Sequence, residues 1–205
     1  MRLLYQTHSP FARKVLVFAH EAGIAERLEV IHQETSPTRP NEIVFAENPL
    51  GKVPVLIRPG RPSLFDSDVI CAYLDTLHDG RKLVPADGES RWLALRDQAL
   101  AQGLADAGIS IRWETVRRPE ALRYPPLRDG YIEKLLAGYD WLERELDVSA
   151  PVHVGHLALA TCLDWLEFRD LPGFREGRPR LSAWFDEFQA RPSMRATPLS
   201  GDTHD

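Results

Sequence analysis

Nine residues into the chain, a serine stands directly before the first apolar helical stretch, in THSPFARKV, residues 7–15. Its type and place allow two kinds of chemistry. A hydroxyl at a helix start accepts a hydrogen bond from a free backbone N–H and caps the helix. The same hydroxyl, beside the positive end of the helix dipole, also suits a site that holds a reactive anion. Two further stretches carry polar groups in comparable places. In NPLGKVPVL, residues 48–56, an X-Pro bond begins an apolar strand, where proline is tolerated because it need not donate to the ladder. A cis Val53-Pro54 bond would face the Val53 N–H and C=O outward, where an extended peptide can pair with them; an ordinary trans strand start is the simpler alternative. In LFDSDVI, residues 64–70, Asp66 and Ser67 stand at a strand end and a helix start. They serve either as cap chemistry or as a grip on an α-amino acid group. In the second case backbone N–H groups and the Ser67 hydroxyl take its carboxylate, and Asp66 takes its ammonium.

These residues need elements to position them. RLLYQ and LEVIHQ have the character of short strands, and residues 11–23 between them place Phe11, Val15, Phe18, Ala19 and Ala22 at helical spacing. Gly23 stops that helix. PVLIR and PSLF flank Pro59-Gly60 and form a hairpin. SDVICAYLDTLH follows as a helix with Ser67 as its cap. A parallel crossover followed by an antiparallel hairpin predicts a mixed sheet with helices packed on it. DGRKLVPADGES is a polar linker. Beyond it the pattern is helical throughout, with helices over about 89–117, 126–146, 156–169 and 180–190, and a Pro-interrupted connection RRPEALRYPPLRD between the first two. The tail ATPLSGDTHD is polar and is expected to fray.

The 205 residues suffice for one large domain or two small ones, and 43% of them are hydrophobic, enough for a sizeable core. The net charge of −5 argues against a general nucleic-acid binder. No apolar run reaches the roughly 18 residues of a membrane helix, and no signal peptide is read. The expectation is a cytoplasmic globular protein without membrane or nucleic-acid partners. Cys71 and Cys162 fit no metal-ligand or CxxC spacing and lie in apolar helix-like surroundings, so each is expected in the core.

SPFARKV, NPLGKVPVL and FDSDVICAYLD, in this order before a helical half, together resemble the glutathione S-transferase superfamily. The resemblance covers nearly the whole chain and is closest to bacterial and tau-like members, with LALATCLDWLEFRDL and RPSM similar to the C-terminal helices of the bacterial branch. It implies an α/β thioredoxin-like domain of order β-α-β-α-β-β-α at 1–79 and an all-helical domain at 86–205. It implies a cis Pro54, with the Val53 backbone paired to the cysteinyl part of glutathione. Asp66 and Ser67 would hold the γ-glutamyl end, Lys52 would lie near the glutathione carboxylates, and Ser9 would be the catalytic serine. Tyr5 is the second-ranked hydroxyl. Arg13 either adds positive potential or faces solvent. The implied activity is conjugation of the glutathione thiolate to a small hydrophobic electrophile, by a homodimer with glutathione as co-substrate and no metal. Glutathione-dependent peroxidase or isomerase chemistry, and a non-catalytic glutathione-binding protein, are the alternatives. Thiol transfer is disfavoured, because it usually uses a cysteine at position 9.

The chain departs from the family at Asp66, where glutamate is usual, and at HVGHLALA, where His153 and His156 replace a capping box. Histidine is a poorer cap, and no third ligand supports a metal at the pair. The electrophile's pocket is expected between the domains, from residues around 104–113 and the Tyr124 loop, with Phe11, Leu104, Gly108, Ile111 and Trp113 as its lining; a place in the core or at a dimer contact is the equal alternative for the apolar helical residues. The cluster Arg112, Arg117 and Arg118 either favours anionic substrates or is a solvated face.

Overall fold

A computed structural model describes residues 1–201. The N-terminal part contains β1 (Arg2–Tyr5), α1 (Pro10–Glu21), β2 (Glu29–His32), α2 (Glu42–Glu47), β3 (Val55–Arg58), β4 (Arg61–Phe65) and α3 (Ser67–Asp75). The four strands form one sheet in the order β2-β1-β3-β4. β1 runs parallel to β2, with Leu3 opposite Val30, and antiparallel to β3, with Leu3 opposite Leu56. β3 and β4 form the expected hairpin, and Gly60 takes the positive φ of 67° that its tight turn requires. α2 lies within the segment whose residues alone gave no regular pattern; the family resemblance implied it. Both faces of β1 are buried at the middle of the sheet, which explains why it reads as a continuous apolar run. Leu3 and Tyr5 enter the main core, while Leu4 joins Val44 of α2 with Val53 and Val55 on the other face.

The rest of the chain is helical: α4 (Gly88–Arg112), α5 (Pro125–Glu145), α6 (Val154–Phe168), α7 (Pro179–Gln189) and the short α8 (Pro192–Arg195). α4 continues into a wider π-type turn over Trp113–Arg117. α6 is the buried centre, with Leu157, Leu159, Ala160 and Leu163 fully inaccessible. None of the described helices is long and apolar enough to cross a membrane. Cys71 and Cys162 are buried and free, and burial pushes the Cys71 thiol up to about 12 and the Cys162 thiol higher still.

Three expectations change. The cap of α3 is Asp66, whose Oδ1 accepts from the Asp68 N–H at 2.7 Å; Ser67 is the first helical residue and is buried. Arg13 does not face solvent. It is 2% exposed, ion-pairs with Asp164 of α6, and donates to the carbonyls of Thr197 (2.5 Å) and Met194 (3.3 Å). The tail is not frayed over its described part. Thr197 is buried, and Ser200 exchanges two hydrogen bonds with Thr7, Thr7 Oγ1 donating to the Ser200 carbonyl at 2.9 Å and Ser200 N–H to the Thr7 carbonyl at 3.3 Å. The remainder of the tail, 202–205, lies outside the described residues. A second interhelix contact reinforces the first. Arg191 donates to both oxygens of Glu21 at 2.8 and 2.7 Å, and Ser193 donates to the same carboxylate.

A buried guanidinium that loses its carboxylate is left charged in a low-dielectric interior. Asp164→Ala is therefore expected to lower stability by about 3 kcal/mol, read as a fall in Tm of roughly 6–12 °C for a domain of this size. A fall below about 2 °C would mean that the two carbonyls alone satisfy Arg13.

Candidate active site

A cleft of about 410 Å³ opens between the sheet domain and the helices, a size suited to a small ligand. One side is built by Gln6, His8, Ser9 and Phe11, by the loop around Thr35 and Pro37, and by Leu50 through Val53. The facing side is Asp106, Ile109 and Arg112 of α4 with Trp113 and Arg117 of the π turn. Trp165 and Arg169 of the α6 end complete it.

Ser9 is held from several directions. It has the extended backbone of an N-cap, φ −94° and ψ 121°, and its Oγ accepts from the Ala12 N–H at 3.2 Å. Its own N–H donates to the Gln6 carbonyl at 3.1 Å. The Trp165 indole donates to the carbonyl of the preceding residue, His8, at 2.9 Å. A hydroxyl carries one donor and two lone pairs. Capping uses a lone pair and leaves the hydroxyl proton uncommitted.

The opposite lip is fixed by a relay of side chains. Gln6 Nε2 donates to Glu34 and to the Thr35 carbonyl, both at 3.1 Å, and Thr35 Oγ1 donates to the Gly51 carbonyl at 2.9 Å. Asn48 Nδ2 donates to the Lys52 carbonyl at 2.8 Å. Gly51 has φ of 61°, and a Cβ there would meet the Phe45 ring at 2.2 Å. Lys52 and Val53 thus line the cleft on a defined backbone. The Val53-Pro54 bond is cis, as the family resemblance implies, and Val53 lies beyond the last ladder pair, Leu4 with Val55.

Among the expected pocket residues, Phe11 and Trp113 line the cleft. Leu104, Gly108 and Ile111 do not. At 100° per residue these three share the α4 face turned to the neighbouring helices, with Gly108 against α6 and Leu104 beside Gly138 of α5, roughly opposite the face of Asp106, Ile109 and Trp113. Leu104 and Ile111 are buried, and a Cβ on Gly108 would meet Leu166 at 2.7 Å and Trp165 at 2.8 Å, so Gly108 sets how closely α4 approaches α6. Tyr5 is buried in the core beneath the sheet and does not line the cleft; burial raises its phenol, partly offset by Arg13. Asp66, Ser67, Arg118 and Tyr124 also lie outside the lining residues. Arg118 pairs with Glu114 at 3.0 Å, and the same carboxylate takes the Tyr124 N–H at 2.7 Å.

Sequence reasoning missed His8, Trp165 and Arg169, and within the stretch 104–113 it did not single out Asp106 and Ile109. The stripe of Asp106, Ile109 and Trp113 was legible as i, i+3, i+7 spacing. Trp165 carries no such signal, because its contact with His8 joins distant parts of the chain. His8 is 6% exposed, and its Nδ1 has no hydrogen-bond partner among the described residues. Burial lowers its pKa, Glu34 at 3.6 Å opposes that, and Arg169 and Arg117 reinforce it. Burial raises the Asp106 carboxyl, while Lys52 across the cleft acts the other way.

The histidine pair serves α6. His153 caps the helix through Nδ1, which accepts from the Gly155 N–H at 3.2 Å. Its ring stacks on His156 at 3.8 Å between centroids, and His156 Nε2 meets the Asp147 carbonyl at 3.1 Å. Among the described residues, no group of three or more histidine, cysteine or acidic side chains is placed to hold a metal ion.

Models of the glutathione S-transferase N-terminal and C-terminal domains match residues 8–77 and 125–187. The chain is 30% identical to the uncharacterised GST-like protein YibF of Escherichia coli (strain K12), over 96% of this chain and 98% of that protein. It is 32% identical to glutathione S-transferase omega-1 of Sus scrofa, over 96% of this chain and 79% of that one. Among solved structures it is similar to a glutathione transferase family member from Pseudomonas fluorescens Pf-5. With bound glutathione, that structure superposes with a TM-score of 0.94 at 35% identity, covering 98% of this chain and 99% of that one. With bound S-(propanoic acid)-glutathione, the TM-score is 0.89 at the same identity, covering 98% and 100%.

Burial, reinforced by His156, lowers His153 from 6.5 to about 4. The unfolded chain therefore binds a proton over the window from 6.5 to about 4 that the folded chain refuses, so stability falls on acidification through that window and is fully present above it. Urea midpoints are expected to be lower at about pH 5 than at about pH 7.5, and His153→Asn, which keeps a capping acceptor, is expected to flatten the difference. An unchanged slope in that variant would place the dependence elsewhere.

Proposed function

The chain belongs to the glutathione S-transferase family, and on that premise we propose that it conjugates the thiolate of glutathione to a small electrophile. In this reading residues 1–79 hold glutathione and 86–205 supply the electrophile's side of the cleft. The observation that carries it is Ser9: a capping hydroxyl at the head of α1, on the cleft wall, with its proton available to a ligand. A thiol titrates near pH ~8.5 when free. A hydrogen bond and the helix N-terminus, at about 1 kcal/mol each, would lower that by about 1.5 units. Near neutral pH a large fraction would then be thiolate. Ser9 acts as a donor to sulfur and not as the nucleophile.

The remaining assignments follow the same logic. The Val53 backbone takes the cysteinyl part beside cis Pro54, and Lys52 faces a glutathione carboxylate. Asp66 and Ser67 hold the γ-glutamyl end from the head of α3. Asp66 already spends one oxygen on the Asp68 N–H, so the ammonium falls to the other, on a side chain one methylene shorter than glutamate. Neither buried cysteine lines the cleft, which weighs against a mixed disulfide on this chain. The bound S-(propanoic acid)-glutathione of the Pseudomonas protein supports an S-substituted glutathione as the kind of product this cleft accommodates. The reading includes a homodimer at work in the cytoplasm on toxic electrophiles, carried over from the family resemblance.

The thiolate absorbance of bound glutathione, titrated with pH, tests this directly. The wild type is expected to show a sulfur pKa near ~7. Ser9→Ala is expected to raise it and to lower kcat/KM about fivefold while retaining glutathione, and Ser9→Thr to restore both. Equal activity in Ser9→Ala would remove the serine role. Binding with an unshifted sulfur pKa would make the protein a glutathione carrier.

A further inference from the structure

Lys14 is a buried cation outside the cleft. It stands on α1 five residues past Ser9, is 3% exposed and does not line the cleft. An ammonium taken out of water needs a partner. Among the described residues, that partner is the Asp68 carboxylate, in the first turn of α3. The preceding residue, Arg13, pairs instead with Asp164 of α6. Two successive residues thus tie the helix that Ser9 caps to two different neighbours, and Lys14 ties it to the head of α3.

Asp68 is joined in turn to Asp66. The Asp68 N–H donates to Asp66 Oδ1 at 2.7 Å, and the Ile70 N–H donates to the Asp66 carbonyl at 3.0 Å. Asp66 has a φ of 71° and a ψ of 128°, a backbone that residues with a Cβ seldom adopt. Such a backbone persists only where its surroundings hold it, and it recurs at ligand clamps. On one side β4 holds it, with Phe65 opposite Val55 in the ladder. On the other side the ion pair of Lys14 with Asp68 holds the turn that follows, and Ser67 between them is buried. Charge acts in the same direction. Asp66 and Asp68 place two carboxylates in one turn, and Lys14 neutralises the second, which leaves the first to answer a cation of the ligand.

On the glutathione transferase reading, and deepening it, we propose that Lys14 is a positioning residue for the γ-glutamyl end of glutathione. By gripping Asp68 it sets the first turn of α3, and with that turn the Asp66 carboxylate that takes the ammonium. Lys14 itself touches no ligand.

Two matched tripeptides read this role. Calorimetric titrations would compare glutathione with glutaryl-cysteinylglycine, the same tripeptide with hydrogen in place of the γ-glutamyl amino group. The wild type is expected to bind glutathione about tenfold more tightly, as one charge-assisted hydrogen bond would give. In Lys14→Met that ratio is expected to fall to about twofold, with the sulfur pKa of bound glutathione unchanged. The double variant Lys14→Met/Asp68→Asn removes both charges together, leaves no carboxylate unpaired, and is expected to show the same reduced ratio. A ratio compares two ligands on one protein, so losses of folding that weaken both alike cancel. A wild-type ratio in both variants, or one recovered in the double variant, would overturn the proposal and leave Asp66 with its ammonium. A sulfur pKa that moves along with the ratio would mark a general loosening of the cleft and would overturn it too. Equal affinities in the wild type would overturn it together with the Asp66 assignment, while glutathione binding stands. Failure of both tripeptides to bind the wild type would remove the glutathione reading, and the proposal with it.

Discussion

The buried guanidinium of Arg13 is the constraint on which the rest of the molecule depends. A permanent charge taken out of water is tolerated only with its donors satisfied, and here the partners come from the helical half of the chain. Asp164 of α6 supplies the carboxylate, and Met194 and Thr197 supply carbonyls. The next residue, Trp165, pins the His8 carbonyl from the same helix. Two consecutive residues of α6 therefore bracket Ser9, one gripping the residue before it and one gripping α1 a turn after it. The site's hydroxyl is aimed by a helix that the sheet domain does not contain.

That bracketing is compatible with both roles open to a serine in this place. Capping asks for a lone pair and a fixed backbone; donation asks for a proton and a fixed direction. The Ala12 N–H takes the first and leaves the second uncommitted. The other lip is rigid for an unrelated reason. Gly51 can hold its left-handed backbone against the Phe45 ring only because it has no side chain, and Lys52 and Val53 follow from it. One wall is set by burying a charge and the other by omitting a Cβ.

The alternation of strands and helices, the hairpin at Pro59-Gly60 and the four long helices were legible because each is local: a periodicity or a turn residue within a few positions. α2 was not, since its six residues are too few to show a period, and it is packed on the sheet through Val44. Ser9, Lys52 and Val53 were found through motifs. The α4 residues were found on the right segment but on the wrong face, because Leu104, Gly108 and Ile111 have the small or apolar character of a pocket and of a helix contact alike. Only the positions of α5 and α6 decide between them. His8, Trp165 and Arg169 had no sequence signal at all. Their relevance arises from contacts between residues more than 150 positions apart, as Arg13 with Asp164 and His8 with Trp165 illustrate.

The clip between Thr7 and Ser200 has a consequence for biosynthesis. The strand and helix flanking Ser9 leave the ribosome well before the groups that hold their turn, Trp165, Met194, Thr197 and Ser200. The sheet can form early, but the geometry around Ser9 waits for the helices that follow it, so a nascent chain carries this serine long before its surroundings exist.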